Sequence, residues 1–390
     1  MGIKILFLGA GASAPFGLPT TKEFFNRFLS PMSELFSATV KLPDLLRRPL
    51  PVLKAEGRNQ TEGKLIIINI LRALRKIRGE DAFDAEEVHG WLSEWQKMLS
   101  QARLETVTLH SLVVRQMGER NYSYDQFQRD WDSLLPTGSK DSDIKDAVES
   151  ALKELVRDLN VAYIVTDDQS KQAFEAWKPV FSGFRDGKHQ LWIFTTNYDL
   201  LIDRMADIRE FNNNFELITG FDQQGKFQGR FSLGAQSEKA IIRLCKLHGS
   251  LHWIRKRTGK IVVRTTLEEV PPPEHIGERA VVALKAVKDE DVDKEPFKTL
   301  YSKFKEVGRK ADRICIIGFS LRDEPIRQAL LDMIKENKSL KITVFNRSES
   351  EVIEEFIKDG NKRRKGAVRF RKGEFGKGDY QNAIVEALFR

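Results

Sequence analysis

Residues 3–13 read IKILFLGAGAS: a short apolar run that passes directly into alternating glycines and then a serine. Six apolar-rich residues closed by a glycine turn read as a buried strand. Gly9 and Gly11 permit a tight turn and a close approach of backbone N–H groups to a phosphate. Four later runs repeat the pattern. Residues 191–196 (LWIFTT) end at Asn197, 241–247 (IIRLCKL) at His248, 313–317 (RICII) at Gly318 and 340–345 (LKITVF) at Asn346. Short runs rich in Ile, Val and Phe, each followed by a small or polar residue, are how parallel strands covered on both faces read. Ligands of open α/β sheets bind outside the carboxyl ends of the strands, so all five runs are expected to deliver their end residues to one rim.

The expected fold class is therefore α/β: a Rossmann-like, mainly parallel sheet with a large helical insertion. About 180 residues separate the first two runs, far too many for one crossover helix. Residues 64–78, 84–103 (Trp91, Leu92, Trp95, Leu99) and 143–161 (Val148, Leu152, Leu155, Val156, Leu159) carry apolar side chains at helical spacing. The core is assigned to residues 1–29 and 181–390, and a mostly helical insertion to 30–180. Residues 256–295 are expected to be irregular, with Pro271, Pro272 and Pro273 breaking any regular element and a charged run at 288–295 forming a solvated loop.

Composition narrows the class. Hydrophobic residues make up 41% of the 390, enough for a packed core and too many for a disordered chain. No apolar run reaches the roughly 20 residues of a membrane span, and the N-terminal apolar stretch is read as a strand and not a targeting segment. No membrane association is expected, and the location is expected to be cytoplasmic. The two cysteines, Cys245 and Cys315, lie inside apolar runs and read as buried reduced thiols. The net charge of +8 is most simply a solubility feature. The densest basic stretch, Lys358 to Lys377, is read as solvated surface or a protein contact, with nucleic acid bound only weakly or indirectly.

Four stretches carry chemistry. In the first, Gly9, Ala10, Gly11, Ala12 and Ser13 are followed by a helix opening near Thr20, which would aim its positive end at a dinucleotide. The plain alternative is a tight strand-to-helix turn. The third glycine of the hydride-transfer fingerprint is replaced by Ala14, and no acid falls on a clear second strand, which disfavours a dehydrogenase. In the second, Thr195, Asn197 and Asp199 follow a strand; the Asn197 amide can hold a ribose hydroxyl or a water, and Asp199 orients a neighbour or caps the next helix. In the third, His248 precedes Gly249 and suits a general base, whereas His252 reads as packing or solvent-facing. In the fourth, Gly318 and Ser320 form a turn before a helix opened by Asp323 and Pro325. Ser320 is placed to reach a phosphate or ribose, Arg322 a pyrophosphate or Asp323, and Asn346 an adenosine ribose.

Together these stretches resemble the sirtuin family, and more closely its bacterial defence-associated sirtuin-like branch. The matching positions are Gly9, Ala10, Gly11 and Ser13; Thr195, Asn197 and Asp199; His248 and Gly249; and Gly318 and Ser320. The resemblance covers roughly residues 1–25 and 185–350. It implies NAD as substrate and an NAD hydrolase that depletes NAD during phage infection, with Asn197 positioning water and His248 as base. Gly9, Ala10, Gly11, Ala12, Ser13, Thr20, Thr195, Asp199, Gly318, Ser320 and Asn346 would hold the dinucleotide, with the Gly11 and Ala12 amides on its pyrophosphate. It also implies a homo-oligomer and a separate partner such as a HerA-type ring ATPase or an Argonaute protein. Deacylase sirtuins use four cysteines for structural zinc. With two cysteines no zinc and no other metal is expected, and the arginine-bearing segment after the first loop is replaced by PTTKEFF. Protein deacylation and ADP-ribosyl transfer remain as alternatives, as does a non-enzymatic nucleotide-binding subunit.

Overall fold

The computed structural model describes residues 2–20, 23–24, 162–232, 238–255, 261–263, 279–281, 294–376 and 379–390. The expected helical stretches at 64–78, 84–103 and 143–161, the triple proline at 271–273 and most of the charged run at 288–295 lie outside these residues. The described chain builds a Rossmann-like α/β fold around a seven-stranded sheet. Its strands are β1 (Gly2–Leu8), β2 (His189–Thr195), β3 (Phe215–Ile218), β4 (Ala240–Lys246), β8 (Arg313–Ile317), β9 (Lys341–Asn346) and β10 (Val368–Lys372). They lie in the order β10-β9-β8-β1-β2-β4-β3, and every pair is parallel. The five expected runs are thus strands, each within two residues of its expected bounds, and their carboxyl ends share one rim.

Two-residue alternation explains why these runs are apolar throughout. Leu6 and Leu8 of β1, Leu191 and Ile193 of β2, and Cys315 and Ile317 of β8 enter the core on one face of the sheet. Ile5 and Phe7, Trp192 and Phe194, and Ile314 and Ile316 enter the core on the other. Helices α1 (Asp167–Ser182) and α7 (Tyr380–Phe389) pack on the first face; α4 (Phe297–Lys310), α5 (Glu324–Glu336) and α6 (Glu351–Arg363) pack on the second. Helix α1 buries Phe174, Trp177 and Phe181 in the same core as β1 and β2. The part of the chain that packs on the sheet therefore reaches back to at least residue 162. Two short helices, α2 (Leu201–Met205) and α3 (Arg209–Asn214), join β2 to β3.

Three strands lie where irregular chain was expected or just before it. β5 (Gly249–Arg255), β6 (Ile261–Val263) and β7 (Arg279–Val281) form a separate antiparallel sheet in the order β6-β5-β7. Two of them are three residues long, too short for alternation to stand out in the sequence. β3 and β10 were likewise not anticipated. In β10, Val368 is buried while Arg369, Arg371 and Lys372 are exposed, the pattern of a charged edge strand. Part of the basic stretch is this edge. Both cysteines are free and buried, and burial raises both thiol pKa values, so they stay protonated and unreactive. Among the described residues, no helix is long and apolar enough to cross a membrane.

Candidate active site

The chain turns from one half of the sheet to the other at β1, with β2 on one side and β8 on the other. In such sheets this reversal opens the ligand crevice. The loops after β1 and β8 meet there backbone to backbone. Gly11 N–H donates to Gly318 O at 2.9 Å. A Cβ on Gly318 would lie 2.3 Å from the Gly11 carbonyl carbon and 2.4 Å from Ala12 N, and Gly318 has a φ of +61°. A Cβ on Gly9 would lie 2.5 Å from the Phe319 Cα. The glycines at the first and fourth stretches are required for this contact.

The Gly11 and Ala12 amides, expected on a pyrophosphate, are bonded within the protein in this structure: Gly11 N–H donates to Gly318 O and Ala12 N–H to Gly9 O, both at 2.9 Å. Residues 10–12 and 14–16 form 3₁₀ turns, and the Ala12 bond belongs to the first of them while the Gly11 bond crosses to the loop after β8. Ala10 O is likewise taken, by Ser13 N–H at 3.1 Å. Thr20 precedes a helical turn at residues 23–24. Its N–H and hydroxyl donate to Glu23 Oε2 at 2.8 and 3.0 Å, Glu23 N–H returns to Thr20 Oγ1 at 3.2 Å, and Phe24 N–H donates to Thr20 O. This reciprocal cap commits the Thr20 hydroxyl to its own helix.

The other half of the rim is built from side chains. Thr195 Oγ1 donates to Leu8 O at 2.9 Å and accepts Asn197 N–H at 3.0 Å, tying the ends of β1 and β2 together. The Asn197 amide nitrogen donates to Gly9 O at 3.0 Å and to Ser13 Oγ at 3.1 Å. A backbone carbonyl only accepts, so the amide nitrogen must face it and the Asn197 Oδ1 is left as the acceptor on the rim. Ser13 Oγ donates onward to Asp199 Oδ2 at 2.9 Å, and Asp199 Oδ1 accepts Leu201 N–H at 3.0 Å. Asp199 is therefore both a helix cap and an orienting group. Burial pushes its pKa up, opposed by Lys246, by the Leu201 N–H and by Ser13.

Lys246, at the end of β4, was not singled out by sequence. It is 4% exposed. Its ammonium donates to Asp199 O and sits 2.8 Å from Asp203 Oδ2. A lysine inside a strand covered on both faces must have a partner, and that was the available signal. Ser13, Thr195, Asn197, Asp199, Lys246 and Trp177 line a pocket with room for about one water-sized group.

His248 follows directly. Leu247 N–H donates to Thr195 O at 2.8 Å, which extends the β2–β4 ladder and sets His248 beside the loop that bears Asn197. The ring is 2% exposed, and neither nitrogen has a hydrogen-bond partner among the described residues. Nε2 nevertheless lies 3.0 Å from Asp323 Oδ2. The two observations are compatible: the atoms are close enough for an ion pair, but the ring is off the axis that a hydrogen bond needs. Asp323 is also the N-cap of α5, with Oδ1 accepting Ile326 N–H at 3.2 Å. His252 is drawn inward, its Nδ1 3.0 Å from Ser250 Oγ. Burial lowers its pKa to about 4, with Asp203 opposing and Lys246 reinforcing the shift.

The remaining expected site residues are more peripheral. Ser320 is exposed, between buried Phe319 and buried Leu321, and Leu321 has a φ of +59°. A non-glycine residue there costs about 1–2 kcal/mol, held in place by full burial of the Leu321 side chain. Asn346 turns inward: Oδ1 accepts Arg347 N–H at 2.9 Å and Nδ2 reaches Phe319 O at 3.4 Å. It braces the turn after β8. The structure thus brings Ser13, Thr195, Asn197 and Asp199 into one hydrogen-bonded group with His248 on the next strand end. Gly9, Gly11 and Gly318 form the adjoining backbone contact.

Fold and rim define a Rossmann-like α/β protein with a buried polar cluster at the carboxyl ends of its strands. Residues 192–363 match the family model of a SIR2-like domain. The match spans less than half of the chain and includes Asn197, Asp199, Lys246, His248, Gly318 and Asp323. No curated protein matches the chain. Among solved structures, a mutant Sir2 homologue in complex with ADP-ribose is similar at 14% identity and a TM-score of 0.38, covering 99% of this chain and 91% of that one. A Sir2 homologue–NAD complex is similar at 16% identity and a TM-score of 0.36, covering 99% and 89%. Those two likenesses are distant.

Proposed function

We propose that this chain is an NAD+ hydrolase that cleaves the nicotinamide–ribose bond to give ADP-ribose and nicotinamide. The observation that supports the reading is that Asn197 and His248 follow the carboxyl ends of adjacent strands, β2 and β4, where Leu247 N–H donates to Thr195 O at 2.8 Å. Asn197 offers an acceptor oxygen in a fixed orientation. His248 offers buried ring nitrogens without a hydrogen-bond partner among the described residues. As the bond to nicotinamide breaks, its electron pair leaves with the ring nitrogen and the ribose C1′ becomes oxocarbenium-like. A water held by Asn197 Oδ1 attacks C1′ and loses its proton to His248. Ser13, Thr195 and Asp199 hold the Asn197 loop, and Ser320 faces solvent where a phosphate can reach it. The SIR2-like match over residues 192–363 supports the assignment because it includes both proposed catalytic residues.

The motif resemblance extends the reading to NAD depletion in a cytoplasmic antiphage system, by a homo-oligomer that acts with a separate partner such as a HerA-type ring ATPase. The test is incubation of the pure protein with NAD, alone and with candidate partners, followed by product separation. Equal yields of nicotinamide and ADP-ribose are expected. Nicotinamide with the ADP-ribosyl group on protein or nucleic acid would point to a transferase, and intact NAD in every combination would remove the reading.

A further inference from the structure

We propose that Asp323 is the positioning residue for His248, holding the proton on Nε2 so that Nδ1 is the nitrogen that takes the proton from water. This rests on the reading of His248 as the general base. Three observations lead to it. The Asp323 carboxylate reaches from the turn after β8 to His248 at the end of β4, with Oδ2 3.0 Å from Nε2. Both side chains are buried, at 2% and 7% exposure, so no bulk water competes for the pair. The other carboxylate oxygen, Oδ1, accepts the Ile326 N–H at the start of α5, which fixes the carboxylate's orientation.

The geometry assigns roles to the two ring nitrogens. A neutral imidazole carries one proton, and the nitrogen that faces a carboxylate is the one that keeps it. Nε2 then carries its proton beside the Asp323 carboxylate, an electrostatic contact at 3.0 Å and not a formed hydrogen bond, and Nδ1 is a buried acceptor without a partner among the described residues. When Nδ1 accepts a proton, the imidazolium forms opposite the Asp323 carboxylate. The step balances: water gives up one proton to Nδ1, its oxygen bonds to C1′, and nicotinamide leaves with the electron pair of the broken bond. Asp323 touches no reacting atom and acts only through His248.

Asp323→Asn tests this without disturbing the helix. Asn caps a helix about as well as Asp, so the melting temperature should stay close to that of the wild type. The Ile326 N–H needs an acceptor, so the amide oxygen must stay on the cap and the amide NH2 must face His248. Two donors cannot face each other, and the His248 proton must move to Nδ1, the wrong tautomer for the base. The ring nitrogens are read by 15N NMR on histidine-labelled protein, with the His248 signals identified by their loss in His248→Ala. The wild type should show Nε2 protonated, and Asp323→Asn should show Nδ1 protonated. NAD turnover in Asp323→Asn should fall at least about a hundredfold with KM little changed, and in the His248→Ala background the same change should cost nothing more. A wild-type His248 protonated on Nδ1, or a tautomer unchanged by Asp323→Asn, overturns the proposal. The tautomer is measured without NAD, so a protein that shows the switch but never cleaves NAD contradicts the proposed function and not the pairing.

Discussion

The two halves of the rim are built by opposite means. On the β1–β8 side, Gly9, Gly11 and Gly318 bring two loops into backbone contact, and the amides there are spent on each other. On the β2–β4 side, the side chains of Asn197, Ser13, Asp199 and Lys246 are linked by hydrogen bonds, and His248 at the end of β4 faces Asp323. A glycine-rich strand end looks in sequence like a phosphate cradle, yet here it first serves to close two loops on each other. Among the described residues, the side-chain half keeps unspent capacity: the Asn197 oxygen and the His248 nitrogens. The first half is therefore sensitive to volume, and the second to charge and protonation.

The largest stability effect is expected on the charged side. Lys246→Met keeps most of the volume but leaves the Asp203 carboxylate buried and unpaired, and should cost about 3–5 kcal/mol. Urea unfolding measures it. A loss under 1 kcal/mol would show that the Lys246–Asp203 pair is not a structural element. On the glycine side, Gly318→Ala forces a Cβ onto the Gly11 and Ala12 backbone as well as an unfavourable φ, for about 2–4 kcal/mol.

The pH response sharpens the comparison. The folded His252 pKa is lowered from 6.5 to about 4, so below pH 6.5 the unfolded chain binds a proton that the folded chain refuses. His252 thus stabilises the fold less and less as the pH falls from about 6.5 to about 4, by at most about 3 kcal/mol. The loss is complete below the folded value. Unfolding free energies at pH 7 and 4.5 should converge in His252→Gln relative to the wild type, and identical pH slopes in the two proteins would contradict the shift. The smallest effect is the control for the glycine half. Gly366 also has a positive φ, +73°, but a Cβ there meets nothing within 4 Å. Gly366→Ala should therefore cost only about 1 kcal/mol. Equal costs at Gly318 and Gly366 would mean that the loop-to-loop contact is unimportant.

The same contrast decides what sequence could reveal. The parallel sheet was legible because its strands are buried on both faces and so read as continuous apolar runs ending in Gly9, Asn197, His248, Gly318 and Asn346. Hydrogen-bond direction was not legible. Nothing in GAGAS distinguishes amides open to a phosphate from amides closed in 3₁₀ turns, and the spacing of GFSLRD does not tell that Asp323 reaches His248, 75 residues away in the chain. Lys246 was hidden for a different reason: one charge in an apolar run looks like an interruption until Asp203 and the Asp199 carbonyl are seen around it. β6 and β7, three residues each, leave no periodicity to read.

The central claim is that Asn197 and His248 form one catalytic pair at the β2–β4 rim, and the most direct test is NAD consumption by folded Asn197→Ala and His248→Ala proteins, in whatever partner-activated state the wild type requires. The account expects each variant to retain the wild-type unfolding transition within about 1–2 kcal/mol and to lose about two to four orders of magnitude in turnover. Near-normal turnover in His248→Ala would contradict the assignment of the base, and near-normal turnover in both would contradict catalysis at this site.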